Sequence, residues 1–165
     1  MNIGRVLRHL FTSRWSVRRR FDAATLARIE GAIREVEGQH AGEIRFAVEP
    51  ALDLPDLLRG ETPRERALQV FGLLGAWDTE QNNGVLLYVL LADRDVEIVA
   101  DRGIARRVPQ ADWDRLCDEM RGHYRAGRYA EGSVAGVLGV GTLLARHFPG
   151  GEGDANELPN QPVLL

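Results

Sequence analysis

The chain has 165 residues, 44% of them hydrophobic and 27% charged, which is typical of a single globular domain with a sizeable core. Its formal net charge of −3 argues against a nucleic-acid-binding domain, which usually carries an excess of basic residues to neutralise phosphates. All 21 basic residues are arginines, so no lysine is available for Schiff-base chemistry or for a phosphate-binding P-loop.

Residues 1–20 form an arginine-rich arm, in which six arginines precede the first acidic residue, Asp22. Apolar residues recur at helical spacing from Ile3 to Phe11. The arm is therefore either a basic amphipathic segment for an anionic membrane or acidic partner, or a short helix docked on its own domain. It has neither the apolar core of a signal peptide nor the length of a membrane span, and the lone Cys117 forms no intrachain disulfide, so we expect a cytoplasmic protein.

Capping signals and periodicity predict the first elements of the main domain. Asp22 is the expected N-cap of a helix that ends near Gly38. Alternating apolar residues from Ile44 to Val48 predict a half-buried strand. The capping box Thr62-Pro63-Arg64-Glu65 then opens a second helix.

A β-hairpin is predicted at the centre of the chain. Its first strand, Val85 to Leu91, is almost continuously apolar and is expected to be covered on both faces. Apolar and polar residues then alternate from Val96 to Asp101, which predicts a second strand antiparallel to the first. With a turn near Asp93, Leu91 pairs with about residue 95, which places Asp101 beside Val85.

Two further helices and a tail complete the predicted chain. The first helix has an apolar face of Trp113, Leu116, Met120 and Tyr124. The second runs from about Ala130 to His147, and its glycines, each unfavourable by about 1 kcal/mol, indicate close packing against a neighbour. We therefore divide the chain into the arm (1–20), an α/β domain (21–148) and a Gly/Pro-rich tail (149–165). The expected fold is an αβα sandwich, with a small mixed sheet that contains the central hairpin and helices on both faces.

Most catalytic signatures are absent from the sequence. No serine lies in a G-x-S-x-G elbow, and the histidines lack the spacing of a zinc-binding helix. Cys117 shares an apolar face with Met120, so we interpret it as buried rather than reactive. No motif predicts a nucleotide or organic cofactor.

Oxygen-bearing side chains converge at the open end of the predicted hairpin, namely Glu80, Asn82, Asn83 and Asp101. Carboxylate and amide oxygens suit Ca²⁺ or Mg²⁺, so this set is a candidate metal site. The alternative is an Asn-Gly turn and a strand end that bind nothing, and the spacing leaves both interpretations open.

Several linked motifs resemble those of the TPM-domain family. The stretches 82–89, 93–98 and 101–104 are similar to the family's central motif, and 124–132 is similar to its F-x-x-G-x-Y-x-x-G helix junction. The resemblance covers about residues 21–148 and implies an αβα sandwich. Members of the TPM-domain family are associated with photosystem repair, modulation of membrane receptors and stress responses. Some members are also associated with divalent-cation binding or weak acid phosphatase activity. Where many members carry Asp-Asn-Gly, this chain has Asn82-Asn83-Gly84, which removes one carboxylate from the candidate metal site.

Two functions are consistent with these observations. The first is an interaction module that binds a protein partner, and an anionic membrane through the arm, and acts on membrane-protein assembly or stress response. The second is a metal-assisted phosphatase, in which an ion near Asn83 and Asp101 polarises a phosphoryl oxygen and Arg102 stabilises its charge. The second lacks an obvious nucleophile.

Overall fold

The computed structural model describes residues 3–150 and 156–165, so part of the predicted tail, 151–155, lies outside the described residues. The helices are α1 Ile3–Phe11, α2 Arg14–Arg20, α3 Ala23–Glu37, α4 Leu54–Arg59, α5 Pro63–Leu73, α6 Arg102–Ala105, α7 Gln110–Arg125 and α8 Tyr129–His147. The strands are β1 Glu43–Glu49, β2 Gly84–Leu90, β3 Asp95–Ala100 and β4 Val163–Leu164.

The four strands form one mixed sheet in the order β3-β2-β1-β4. Strand β1 is parallel to β2 and β4, whereas β2 and β3 are antiparallel. Helices α3, α7 and α8 share the larger hydrophobic core with one face of the sheet, and α4 and α5 share a smaller core with the other. The predicted αβα sandwich is confirmed.

The central hairpin is confirmed, with one correction to its register. Strand β2 is buried at every position, as its continuous apolar sequence predicts. However, Leu90 pairs with Asp95 and Val85 with Ala100, one residue away from the predicted pairing. The reason is that Leu91 belongs to the turn: its carbonyl accepts from the Arg94 N–H at 3.0 Å, and its own N–H donates to β1.

Strand β1 is more buried than predicted, because its polar side chains have partners far away in the sequence. All seven of its residues are buried. The Glu43 carboxylate accepts from the N–H groups of Glu157 and Leu158 at 3.2 and 3.1 Å. Glu49 accepts a bidentate pair of bonds from Arg66 of α5 at 2.9 and 2.8 Å. The tail and α5 therefore cover the face that the alternating pattern assigned to solvent.

The glycines of α8 have the packing role that the sequence predicts. A Cβ atom on Gly136 would overlap Met120 of α7, and one on Gly141 would overlap Val36 of α3. Close helix approach therefore offsets the low helix propensity of this segment.

The arm is docked on the domain through polar side chains of α1. Arg5 donates to both carboxylate oxygens of Asp93 from Nε at 3.1 and 3.0 Å and to one of them from Nη2 at 2.8 Å. The buried His9 accepts from the Leu52 N–H at Nδ1, 2.9 Å away, and its Nε2 lies 3.0 Å from the Asp93 carboxylate. Val17 of α2 lies in the larger core. The boundaries at residues 20 and 148 stay predictions.

Candidate functional site

Asn83 joins the start of β2 to the start of β1. It is 1% exposed, and its side-chain amide donates to the Ala41 carbonyl just before β1. Its backbone N–H donates to the Thr79 hydroxyl at 3.0 Å, and its carbonyl accepts from the Glu43 N–H at 3.1 Å. Asn83 therefore holds the two parallel strands in register.

Asp101, Arg102 and Asn82 meet at the end of β3. The Asp101 carboxylate accepts from the Arg102 N–H at 2.6 Å at the start of α6, and the Asp101 N–H donates to the Gly84 carbonyl at 2.8 Å. Arg102 Nε donates to Asn82 Oδ1 at 3.1 Å. The structure thus brings together three of the predicted site residues.

Glu80 lies on the surface. It is exposed, and its backbone N–H donates to the Glu157 carboxylate at 3.0 Å. This bond directs the loop that contains Glu80 toward the C-terminal segment.

Two oxygens of the predicted set are suited to a cation. Asn83 Oδ1 and Asp101 Oδ2 are buried and have no hydrogen-bond partner among the described residues. Buried polar atoms without a partner are costly, so a bound cation or water is a physical reason for their retention. Within the described ranges, no three His, Cys, Asp or Glu side chains are grouped to hold a metal ion. The metal site therefore stays a prediction that rests on one carboxylate and one amide.

Two glycines of this region are required by close backbone approach. A Cβ atom on Gly84 would overlap the carbonyl oxygen of Ala76, and one on Gly103 would overlap the carbonyl oxygen of Asn82. Gly84 does not have a positive φ, whereas Asn82 does, at 53°. The Asn-Asn-Gly sequence therefore forms a tight backbone junction between the end of the α5–β2 loop and α6.

The nucleophilic side chains at the core are not accessible. Cys117 is 6% exposed, so its predicted burial is confirmed, and this burial raises the pKa of its thiol to about 12. The buried Ser133 hydroxyl lies 2.8 Å from the Tyr124 hydroxyl and donates to the Tyr129 carbonyl at 2.8 Å. Neither group is placed to attack a substrate.

Comparison with known proteins agrees with the motifs at this junction. The family model of the TPM domain matches residues 18–143. The chain belongs to the TPM-domain family. No curated protein matches it.

Two solved structures resemble this TPM domain over most of its length. The BA42 protein of the psychrophilic bacterium Bizionia argentinensis is 31% identical, with a TM-score of 0.76 over 87% of this chain and 94% of BA42. The N-terminal domain of a P. gingivalis protein is 27% identical, with a TM-score of 0.60 over 79% of this chain and 82% of that domain. Among the described helices of this TPM domain, none combines the length and apolarity that a membrane crossing requires.

The arm carries an exposed apolar stripe on α1 and α2, which consists of Ile3, Leu7, Leu10, Phe11 and Trp15. All five side chains are exposed, with Phe11 at 83% and Trp15 at 68%. The four in α1 follow the i, i+4, i+7, i+8 spacing of a helix face. Sequence periodicity found this face but did not show that it points away from the core.

A second unpredicted feature is the carboxyl group of Glu37, at the end of α3. Its Oε1 accepts from the Ile44 N–H at 2.9 Å, and its Oε2 is buried. Burial is the main reason that the pKa of Glu37 is raised from 4.5 to about 7. The hydrogen bond from Ile44 lowers the pKa, whereas repulsion by Glu43 raises it further.

We expect Glu37→Gln to remove a pH dependence of stability between about pH 4.5 and 7. Since the folded-state pKa is the higher one, the native domain binds an extra proton in this window, and its stability falls as the pH rises. Glutamine keeps the acceptor for Ile44 but does not titrate. Urea unfolding at several pH values measures the effect, with the exposed Glu35→Gln on the same helix as control. Equal pH slopes for wild type and Glu37→Gln would contradict the assignment.

Proposed function

We propose that this TPM domain is a non-catalytic interaction module that docks on an anionic membrane surface through its apolar stripe. The observation that carries the proposal is the orientation of α1. Its polar side chains Arg5 and His9 face the domain, where they contact Asp93, whereas its apolar side chains face solvent. A surface helix ordinarily has the opposite orientation. A contiguous exposed apolar surface is typical of interaction sites.

The charge around the stripe favours a lipid surface over an apolar protein groove. Arg14, Arg18 and Arg19 are exposed, and no acidic residue precedes Asp22. Each arginine near an anionic leaflet contributes about 1 kcal/mol, and a helix that lies in the interface adds the burial of its apolar residues. Phe11 and Trp15 are residue types that suit this interface.

Vesicle binding of the full chain tests this proposal. We expect sedimentation with vesicles of phosphatidylcholine and phosphatidylglycerol, but not with phosphatidylcholine alone, and a blue shift of the tryptophan emission, to which Trp15 contributes. Phe11→Ser is expected to weaken binding about tenfold or more, because burying a phenylalanine contributes roughly 2 kcal/mol. Leu73→Ser is the matched control, since Leu73 is a similarly exposed apolar residue on α5. Equal binding to both kinds of vesicle, or unchanged binding by Phe11→Ser, would contradict the proposal.

A metal-assisted phosphatase is the second candidate, favoured by the unpartnered oxygens Asn83 Oδ1 and Asp101 Oδ2 among the described residues. These two atoms would hold Ca²⁺ or Mg²⁺, which supplies Lewis-acid polarisation of a phosphoryl oxygen when bound. Arg102 lies next to Asp101 and would contribute positive charge for the phosphate.

A melting experiment with Asp101→Asn tests for this ion. If the ion binds, millimolar Ca²⁺ or Mg²⁺ raises the melting temperature of the wild type by mass action. The substituted amide retains an oxygen acceptor for the start of α6 but lacks the negative charge, so the ion-dependent rise is expected to disappear while metal-free stability changes little. Identical melting of both proteins with and without metal would refute the metal site.

A further inference from the structure

We infer that the end of the sheet opposite Asp101 carries a binding pocket for a phosphate monoester with an apolar or aromatic group. The pocket has a volume of about 390 Å³, and we call it the arginine pocket after Arg20, Arg94, Arg121 and Arg125 in its lining. It is separate from Arg102, which lies at the other end of the β2–β3 hairpin.

The arginine pocket lies where α/β sheets commonly bind ligands, at the carboxyl ends of parallel strands. Val89 and Leu91, from the end of β2 and the residue after it, contribute apolar lining. The rest comes from the ends of α2 and α7, the start of α8, the α7–α8 connection and the β2–β3 turn. Its volume is within the range of small-molecule sites.

The charge of the pocket is strongly positive. Four guanidinium groups line it, and no acidic side chain does so within the described residues. Arg121 is neutralised by Asp95 and Asp118, each at 2.7 Å. Arg94 and Arg125 are exposed and make no ion pair or hydrogen bond through their side chains in the described ranges. Two uncompensated guanidinium groups at one cavity suit a dianion, and their planar forks match phosphate oxygens.

Aromatic side chains in the pocket favour a ligand with an apolar or aromatic group beside the phosphate. The rings of Tyr124 and Tyr129 are stacked, with centroids 5.1 Å apart, and both line the pocket. Arg20 Nε donates to the Tyr129 hydroxyl at 3.1 Å, which fixes one guanidinium beside this pair. A ligand that places its phosphate between the arginines therefore has an apolar surface on which to pack a ring or chain.

The backbone conformation at Arg94 allows a substitution that removes the guanidinium group without straining the turn. Its φ is 55°, a left-handed conformation in which an arginine is less favourable than a glycine. Arg94→Gly therefore removes a guanidinium from the pocket while relaxing the turn, so the variant is expected to fold with an equal or higher melting temperature. Arg146→Ala is the matched charge control, because Arg146 is exposed near the far end of α8, about 25 Å from Tyr129.

Isothermal titration calorimetry of the full chain tests the pocket. We expect saturable binding of phenyl phosphate, weaker binding of inorganic phosphate, and none of phenol. Arg94→Gly and Arg125→Gln should each weaken phenyl phosphate binding about tenfold, since each removes charge-assisted hydrogen bonds, whereas Arg146→Ala should not. Absence of saturable binding, or equal affinity of Arg94→Gly and Arg146→Ala, would overturn the inference.

One further probe distinguishes the possible sources of the phosphate. Tighter binding of dihexanoyl phosphatidate than of phenyl phosphate, with the same loss in Arg94→Gly, assigns the pocket to a lipid headgroup. The reverse order assigns it to a soluble phosphate ester. The result is independent of vesicle docking, because Phe11→Ser should leave phenyl phosphate binding unchanged.

Discussion

Gly84→Ala is expected to destabilise the domain by more than about 3 kcal/mol, a loss in the range of the most damaging single substitutions. A Cβ atom at this position would overlap the carbonyl oxygen of Ala76, which is backbone and does not move aside as a flexible side chain does. Any shift would also disturb Asn83, which connects the starts of β1 and β2.

Chemical denaturation of Gly84→Ala gives the size of this loss. The matched controls are Gly31→Ala in α3 and Gly122→Ala in α7, where a new Cβ meets nothing within 4 Å. Both controls should stabilise the domain by about 0.5–1 kcal/mol through helix propensity. If Gly84→Ala were as stable as these controls, the close approach to Ala76 would be wrong.

Asp93→Asn is expected to loosen α1 and to lower the free energy of unfolding by about 2 kcal/mol. This loss is smaller than the loss expected when one partner of a fully buried ion pair is removed. The Asp93 carboxylate is 8% exposed and holds Arg5 at 2.8 Å and His9 Nε2 at 3.0 Å. Burial acts to raise the pKa of Asp93, but the hydrogen bonds from Arg5 and His9 outweigh it, and the pKa is lowered.

The lowered pKa sets the pH at which this contribution is lost. It is present above the unfolded-state pKa of about 3.8 and disappears as the pH falls through the lower folded-state value. Wild type should therefore lose more stability than Asp93→Asn on acidification below about pH 4.

Trypsin sensitivity of the arm provides a second measurement. Asp93→Asn should be cut faster than wild type at the arginines of α1, since a detached helix is accessible to protease. The control is Asp53→Asn, an exposed position whose side chain makes no capping bond. Stability and cleavage rates equal to those of the control would show that Asp93 does not anchor α1.

The Asp93 prediction bears on how the domain presents its surfaces. The Asp93 contacts fix the orientation of α1, and with it the exposure of Leu10 and Phe11. Asp93 also precedes Arg94 in the turn after β2, so one short turn anchors the apolar stripe and contributes to the arginine pocket. The proposed lipid-facing helix and the proposed phosphate-binding pocket are thus held by the same structural element.

Elements with local signals were predictable from the amino-acid sequence alone. The continuous apolar run of β2 predicted a strand buried on both faces, and the capping box at Thr62 is present as predicted, with both reciprocal bonds. Asp22 accepts from the Thr25 N–H at 2.8 Å, as expected of an N-cap. These features depend on residues within one turn or one strand, so a short stretch of sequence predicts them without knowledge of the tertiary structure.

The candidate site was predictable only in part. The hairpin placed Asn82, Asp101 and Arg102 at one end of the sheet, and the structure brings them together. The Asn83 side chain instead donates to Ala41, 42 positions earlier, and no local pattern specifies such a bond. The one-residue register difference has the same origin, because it depends on which partner the Leu91 N–H finds.

Which surfaces are buried and which are exposed depends on contacts between elements that are distant in the sequence. Glu43 and Glu49 are buried because the C-terminal segment and α5 bring them partners, against the expectation from alternation. The apolar face of α1 is exposed because Asp93 binds its polar face. The arginine pocket joins side chains from separate elements of the chain, so their convergence is absent from any window of the sequence. Periodicity reports the two faces of an element, whereas the partner that covers a face is set by contacts between distant residues.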